Sequence, residues 1–216
     1  MAAGAALVAG IVTGFVVNGG SGDDAGGGGD DDVRTVQPGA PGEEGRELTD
    51  NEAAAIGSPE HTAADTAFMQ DMIAHHQQAL DMASLVADRT GRDDLPLLAE
   101  RIIESQEAEI ELIEQWLTDR DEEIPDEAAD HEEHEGMPGM ATADQLDDLG
   151  AAEGTAFDRL FLELMIAHHQ GAVTMVTDLY AGDGGLEPAA DSLARGIEAD
   201  QNIEIRRMQD LLESMA

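Results

Sequence analysis

The sequence predicts an all-α protein whose folded part is a four-helix bundle, and three observations lead to this fold class. Aromatic residues make up 3% of the chain and the 216 residues include only seven prolines. Helix-forming Ala, Leu, Ile, Met, Glu and Gln dominate the second half. Four segments carry apolar residues at spacings of three and four, and the first pair of segments resembles the second pair. Two helical hairpins with apolar faces bury those faces by packing on each other.

The four predicted helices follow from periodicity and from end signals. A cap at Ser58-Pro59 or at Thr62 opens the first helix, which we expect to run to about Thr90 because Gly91 follows. The other three helices are expected at about 94–118, 152–180 and 188–215. The hairpins then span residues 58–119 and 142–216, and both lie within a bundle domain over residues 58–216.

The two hairpins share one hexapeptide. Met-Ile-Ala-His-His-Gln occurs at 72–77 and again at 165–170. Flanking residues also correspond, since Asp65 matches Asp158 and Gln106 matches Gln201. The repeated unit is therefore a whole hairpin.

Polar residues interrupt the apolar stripes near the middle of each helix. Mid-helix positions meet at the same height in a bundle, so these residues should form one buried polar layer. The predicted layer consists of His75, His76, His168, His169, Gln106 and Gln201, with Glu109 and Glu204 one turn away and Met72 and Met165 on the other side.

Two interpretations of this layer remain open. In the first, His and Gln satisfy one another and only set the packing register of the hairpins. In the second, the layer binds metal, because neutral imidazole is the commonest protein metal ligand and four buried histidines are costly without a partner. Imidazole with thioether and without thiolate suits copper, which makes His75, His76, His168, His169, Met72 and Met165 the candidate ligands.

The segment between the hairpins is a second candidate. Residues 120–141 form an acidic loop that contains His131, His134, Met137 and Met140. Acidic runs are usually solvated linkers, but this His/Met spacing is also typical of segments that capture copper. We treat these four residues, with Gln106, Gln201, Glu109 and Glu204, as secondary candidates.

The residues before the bundle predict export. Residues 1–18 are a signal-like or membrane-anchor segment, and residues 19–57 are a disordered acidic linker that would tether the domain. The formal net charge of −38 excludes nucleic acid as a partner and favours cations. Cysteine is absent, so disulfide and thiolate chemistry are excluded. The expected location is extracytoplasmic, membrane-anchored or secreted.

In each hairpin the helix with the repeated His-His pair, here called the dyad helix, carries a phenylalanine, Phe68 or Phe161, before His-His-Gln-x-Ala. The helix that follows it carries Gln-x-x-Glu-Ile, at 106–110 and at 201–205. This combination resembles the DUF305 family over about residues 63–216. The resemblance implies a ferritin-like helical fold, a bacterial exported protein and, for some members, copper binding. It carries the four dyad histidines over as ligands, with Met72 and Met165 as possible soft ligands.

Ferritin-like folds also contain di-iron oxidases, but those sites need Glu-x-x-His on two helices. Neither dyad helix has that spacing, and no nucleophile with a paired base is evident. The sequence therefore predicts a copper-binding protein for sequestration or handover. A structural or interaction domain without metal is the alternative, and a redox enzyme is a weaker third. Self-association and the identity of a protein partner stay open.

Overall fold

The computed structural model describes residues 36–37, 45–47, 57, 59–125 and 136–215. The chain divides after Ser58 into two units. In the first unit, Val36–Gln37 and Arg46–Glu47 pair as an antiparallel ribbon, β1 and β2. The sequence predicted a disordered linker over 19–57, and the structure differs there by this two-residue pairing. The signal-like segment 1–18 lies outside the described residues.

The second unit is helical, and the protein has an all-α fold. The helices are α1 (Ala63–Ser84), α2 (Val86–Arg89), α3 (Leu95–Thr118), α4 (Ala143–Ala151), α5 (Gly154–Ala181) and α6 (Pro188–Glu213). The four long helices contact one another in pairs: α1 with α3, α5 with α6, α1 with α5, and α3 with α6. No helix in the described part of the chain has the length and apolarity of a membrane span.

The helix ends follow the expected signals. Thr62 caps α1 through a capping box with Asp65, whose carboxylate accepts from the Thr62 backbone N–H at 2.8 Å. Pro188 begins α6, where its missing N–H is not needed. Gly185, with φ at +75°, turns the chain between α5 and α6.

One prediction of helix extent was wrong, and one helix was not predicted. The first helix does not continue to Thr90, because Leu85 interrupts it and a separate one-turn helix follows. Helix α4 was not predicted, although its sequence contains the capping box formed by Thr142 and Gln145. Gly154, with φ at +59°, then turns the chain into α5.

The core consists of two apolar clusters at opposite ends of the long helices. One cluster holds Met82 of α1 with Phe157 and Met165 of α5. The other holds Phe68 and Met72 of α1 with residues from the C-terminal half of α5. The N-terminal half of α1 thus packs on the C-terminal half of α5, so the two helices cross in opposite directions at their centres.

Candidate metal centre

A buried polar layer separates the two apolar clusters. On each long helix the polar residues lie between the stretch that joins one cluster and the stretch that joins the other. The structure therefore contains the layer that the repeated sequence predicted. All eight polar residues are at least nine-tenths buried: His75, His76, Gln106, Glu109, His168, His169, Gln201 and Glu204.

Two of the histidines pair with carboxylates. Nε2 of His76 lies 2.6 Å from Glu109 Oε2, and Nε2 of His169 lies 2.7 Å from Glu204 Oε2. A carboxylate only accepts hydrogen bonds, so in each pair Nε2–H is the donor. Each contact joins a dyad helix to the following helix, and the two contacts occupy corresponding positions in the hairpins.

The other two histidines face each other. The ring centroids of His75 and His168 lie 3.9 Å apart, with the ring planes inclined by 37°. Nε2 of His75 also donates to the backbone carbonyl of Pro138 at 3.0 Å. The centre of the α1–α5 contact is therefore a pair of tilted imidazoles in contact, and one of them, His75, is also bound by the segment that contains Pro138.

Both central imidazoles are neutral at physiological pH. Burial lowers the pKa of His75 from 6.5 to about 3, against the opposing effect of its hydrogen bond to Pro138. Burial also lowers the pKa of His168 well below 6.5, and the charges of His75, His169 and His76 lower it further. Neutral imidazole is the form that binds metal ions.

The layer has many buried polar atoms without a partner among the described residues. Nδ1 of all four histidines is unpartnered, as are Nε2 of His168 and both amide atoms of Gln106 and Gln201. Buried polar atoms are nearly always hydrogen-bonded, so this concentration needs an explanation. A histidine that donates one N–H to a carboxylate and keeps the other nitrogen free is also the usual arrangement around a bound metal. The donor set thus fits a soft or borderline cation.

The ligands do not converge on a single point, however. Among the described residues, no three His, Asp or Glu side chains are placed to hold one ion. Met72 and Met165 are fully buried but belong to different apolar clusters, so their thioethers lie on opposite sides of the layer. The two methionines and four histidines therefore do not form one common set of ligands in this arrangement.

One side of the layer reaches solvent. Glu204 lines a surface cavity of about 360 Å³ between α3 and α6, together with the exposed Asp200. Burial raises the pKa of Asp200, as do the charges of Glu109 and Glu204. The carboxylates behind His76 and His169 thus give this side of the layer a negative potential.

Of the acidic loop, the structure describes residues 120–125 and 136–141. Met137 and Met140 are half-buried, and Met137 packs against one of the apolar clusters. His131 and His134 lie outside the described residues. The end of the loop lies across α1 and α5, and it supplies the Pro138 carbonyl.

The residues that bind and pack against this segment were not predicted from the sequence. Gln78 exchanges two hydrogen bonds with the backbone of Ala141, at 3.0 and 2.7 Å. A Cβ on Gly171 would lie 1.9 Å from the Pro138 oxygen. Gln78 and Gly171 follow the repeated hexapeptide at the same position, and their difference was the available signal that the hairpins are not equivalent there.

A family model described as "Domain of unknown function (DUF305)" matches residues 65–212. The chain belongs to this family. No curated protein matches it at a significant level. The chain is also similar to solved structures, among them DUF305 proteins from Deinococcus radiodurans and Streptomyces coelicolor.

The chain is 33% identical to a DUF305 fragment from Deinococcus radiodurans, with a TM-score of 0.65 over 72% of this chain and 99% of that one. It is also 33% identical to a putative secreted DUF305 protein from Streptomyces coelicolor, with a TM-score of 0.61 over 70% of this chain and 93% of that one. The copper protein CopM, in its Cu(II)-bound form, is 32% identical, with a TM-score of 0.59 over 70% of this chain and 97% of that one. CopM has also been solved in Cu(I)-bound and Ag-bound forms.

Proposed function

We propose that this DUF305 protein binds copper through its buried histidine layer and sequesters the ion or hands it on. The observation that supports the proposal most directly is the set of four buried Nδ1 atoms without partners. The similarity to CopM, which is described in copper- and silver-bound forms, makes copper a plausible cargo for the same fold.

Cu(I) is the form that fits the donors best. Imidazole and thioether are the available donors, thiolate is absent, and the central histidines are uncharged. Because no three His, Asp or Glu side chains are placed around one point, the ion would bind with few ligands or after a rotation of the rings. Cu(I) accepts low coordination numbers more readily than Cu(II).

The proposal extends to architecture and location. The pairwise contacts of the four long helices support a ferritin-like four-helix bundle, and the repeated hairpin sequence supports its origin by duplication. The apolar start of the chain and the description of the Streptomyces relative as secreted support an extracytoplasmic location, with residues 1–18 as a signal or anchor. Binding rather than catalysis is proposed, since the layer has neither Glu-x-x-His motif.

Competition titration of the full-length protein with Cu(I) and a chelator tests the copper site. Changing all four dyad histidines to Gln should abolish tight binding, while the matched variant His61→Gln, outside the layer, should bind like wild type. His168→Gln alone is the milder variant if the fourfold change unfolds the protein, and it should weaken binding measurably. Equal affinity of wild type, His168→Gln and a folded fourfold variant would disprove the site.

A fourth variant, with His131 and His134 both changed to Gln, separates the layer from the acidic loop. Its affinity for Cu(I) should match that of the wild-type protein. Loss of binding in this variant alone would show that the copper site lies in the loop.

A second candidate function is a structural domain in which the layer only sets register. The two carboxylate–histidine contacts favour it, because they fix α3 against α1 and α6 against α5 without any ion. This function predicts that copper leaves the melting temperature unchanged, whereas a ligand that binds only the native state raises it.

A further inference from the structure

Residues 136–142, here called the strap, are bound to α1 by Gln78 as well as by His75. Nε2 of Gln78 donates to the Ala141 carbonyl at 3.0 Å, and the Ala141 N–H donates to Gln78 Oε1 at 2.7 Å. Both contacts are buried, and together they use both ends of the amide. Gln78 thus fixes both the position and the direction of the strap backbone.

The backbone of the strap packs directly against the backbone of α5. Gly139, with φ at +78°, has no room for a Cβ, which would lie 2.4 Å from the carbonyl oxygen of Ala167. A Cβ on Gly171 would lie 1.9 Å from the oxygen of Pro138. Both positions therefore require glycine, and the strap can approach His75 only because both are glycines.

This packing determines which nitrogen of His75 donates a hydrogen bond. A carbonyl oxygen carries no proton, so the 3.0 Å contact with Pro138 requires Nε2 of His75 to be the donor. With the proton on Nε2, the neutral tautomer of the ring has its lone pair on Nδ1. No described residue pairs with that atom.

His76 and His169 also use Nε2 as their hydrogen-bond donor, but the acceptor is a side chain. Each donates from Nε2 to a carboxylate, Glu109 or Glu204, and each leaves Nδ1 unpartnered. We infer that Nδ1 is the metal-donor atom of His75, His76 and His169, and that Gln78 is a positioning residue which selects this atom at His75 through the strap. The inference rests on the proposed function and names the donor atoms of that same site.

The strap also explains why the two hairpins differ. The residue that corresponds to Gln78 in the second hairpin is Gly171, which accommodates the strap instead of binding it. His168, which corresponds to His75, has no partner on either nitrogen among the described residues. One strap therefore fixes one of the two central histidines, and His168 can present either nitrogen.

The tautomers are measured in the metal-free full-length protein at pH 7, by two-bond ¹H–¹⁵N NMR of ¹⁵N-labelled histidine. Single His→Gln variants assign the signals. His75, His76 and His169 should each show a protonated Nε2 and a bare Nδ1. A proton on Nδ1 of His75 in the wild-type protein would overturn the inference.

Two substitutions on different helices test the role of the strap. Gln78→Leu removes both contacts with Ala141, and Gly171→Ala displaces Pro138 from the opposite side. Each should convert the His75 signals to a mixture of tautomers and leave those of His169 unchanged, while Gln77→Leu serves as the matched control. Preservation of the His75 tautomer in both strap variants would overturn the assignment to Gln78.

Titration with Ag(I), a soft diamagnetic probe, identifies the donor atom. The Nδ1 resonances of His75, His76 and His169 should shift as silver binds. Shifts at Nε2 instead would overturn this inference and leave the proposed function intact. No silver-dependent shift at any layer histidine would overturn both.

Discussion

His75 and His168 are in contact at the centre of the α1–α5 interface, with 3.9 Å between ring centroids and ring planes inclined by 37°. Two imidazolium ions at that distance would repel each other strongly in a buried environment, so the contact requires neutral rings. The pair therefore makes the stability of the fold sensitive to pH, and the neutral rings that it requires are the form of imidazole that binds metal ions.

The free energy of unfolding should fall as the pH decreases below 6.5. Burial lowers the folded-state pKa of His75 to about 3 and that of His168 well below 6.5, so between these values the unfolded chain binds more protons. Their contribution is fully present above pH 6.5 and is lost as the pH falls towards the folded pKa. Each histidine adds a slope of at most about 1.4 kcal/mol per pH unit.

Urea unfolding between pH 5 and pH 7 measures this slope. The variant with both His75 and His168 changed to Gln should have a flatter dependence, whereas Gln77→Leu, which removes no titratable group, should keep the wild-type slope. His76, His169, Glu109 and Glu204 surround the pair and remain in all three proteins. Equal slopes in all three would contradict the assignment to the His75–His168 pair.

Asp65 and Asp158 correspond in the two hairpins but should tolerate Asn differently. Asp65 uses both oxygens: Oδ2 accepts from Thr62 and Oδ1 accepts from the Gly185 N–H at 2.6 Å. Asp158 uses only Oδ1, for Thr90 and Gly91. Asp65→Asn should cost about 2 kcal/mol and Asp158→Asn about 1 kcal/mol or less. Denaturant unfolding of the two variants provides the comparison, and equal losses would refute it.

Glu187 should stabilise the start of α6 in a pH-dependent way. Burial acts to raise its pKa, but hydrogen bonds from Trp116, the Ala190 N–H and Arg120 outweigh burial, so the pKa lies below its ordinary value of 4.5. This contribution is present above pH 4.5 and is lost as the pH falls through the folded pKa.

Glu187→Ala should therefore cost about 2 kcal/mol at pH 7, through loss of the cap and of the partner of Trp116. Thermal unfolding at pH 7 and at pH 3.5 checks this, with Glu153→Ala as the control at an N-cap that makes no side-chain cap bond. An equal destabilisation at both pH values would argue against the charged cap.

The sequence predicted the four long helices and the polar layer because both follow from periodicity. His75, Gln106, His168 and Gln201 lie at mid-helix positions, and helices packed side by side bring such positions together. The corresponding aspartates were visible as a repeat, but their partners were not, because Gly185 and Gly91 are loop backbone groups brought near only by the antiparallel crossing.

The strap could not be predicted by the same reasoning. Its contacts join Gln78 and Gly171 to residues about 63 and 33 positions away, and they depend on backbone approach rather than on side-chain pattern. The absence of convergence among the four imidazoles depends on ring orientation, which spacing along a helix does not specify. The sequence thus located the layer but not the directions of its donor atoms.

Glu109→Gln and Glu204→Gln should weaken copper binding more than they weaken the fold. A carboxylate that accepts from the Nε2–H of a ligating histidine fixes its tautomer and raises its basicity, and loss of such a partner typically lowers metal affinity about tenfold to a hundredfold. The amide of Gln keeps an acceptor oxygen near His76 or His169, so the free energy of unfolding should fall by only about 1 kcal/mol.

The side chain of Glu204 is 5% exposed and that of Glu109 is 11% exposed, so the Glu204 variant should show the larger loss of affinity. Chelator competition with Cu(I), run beside urea unfolding, gives both quantities, and Glu104→Gln at the rim of the α3–α6 cavity is the matched control. A loss of stability without a loss of affinity would show that these carboxylates serve the packing of the helices rather than the metal.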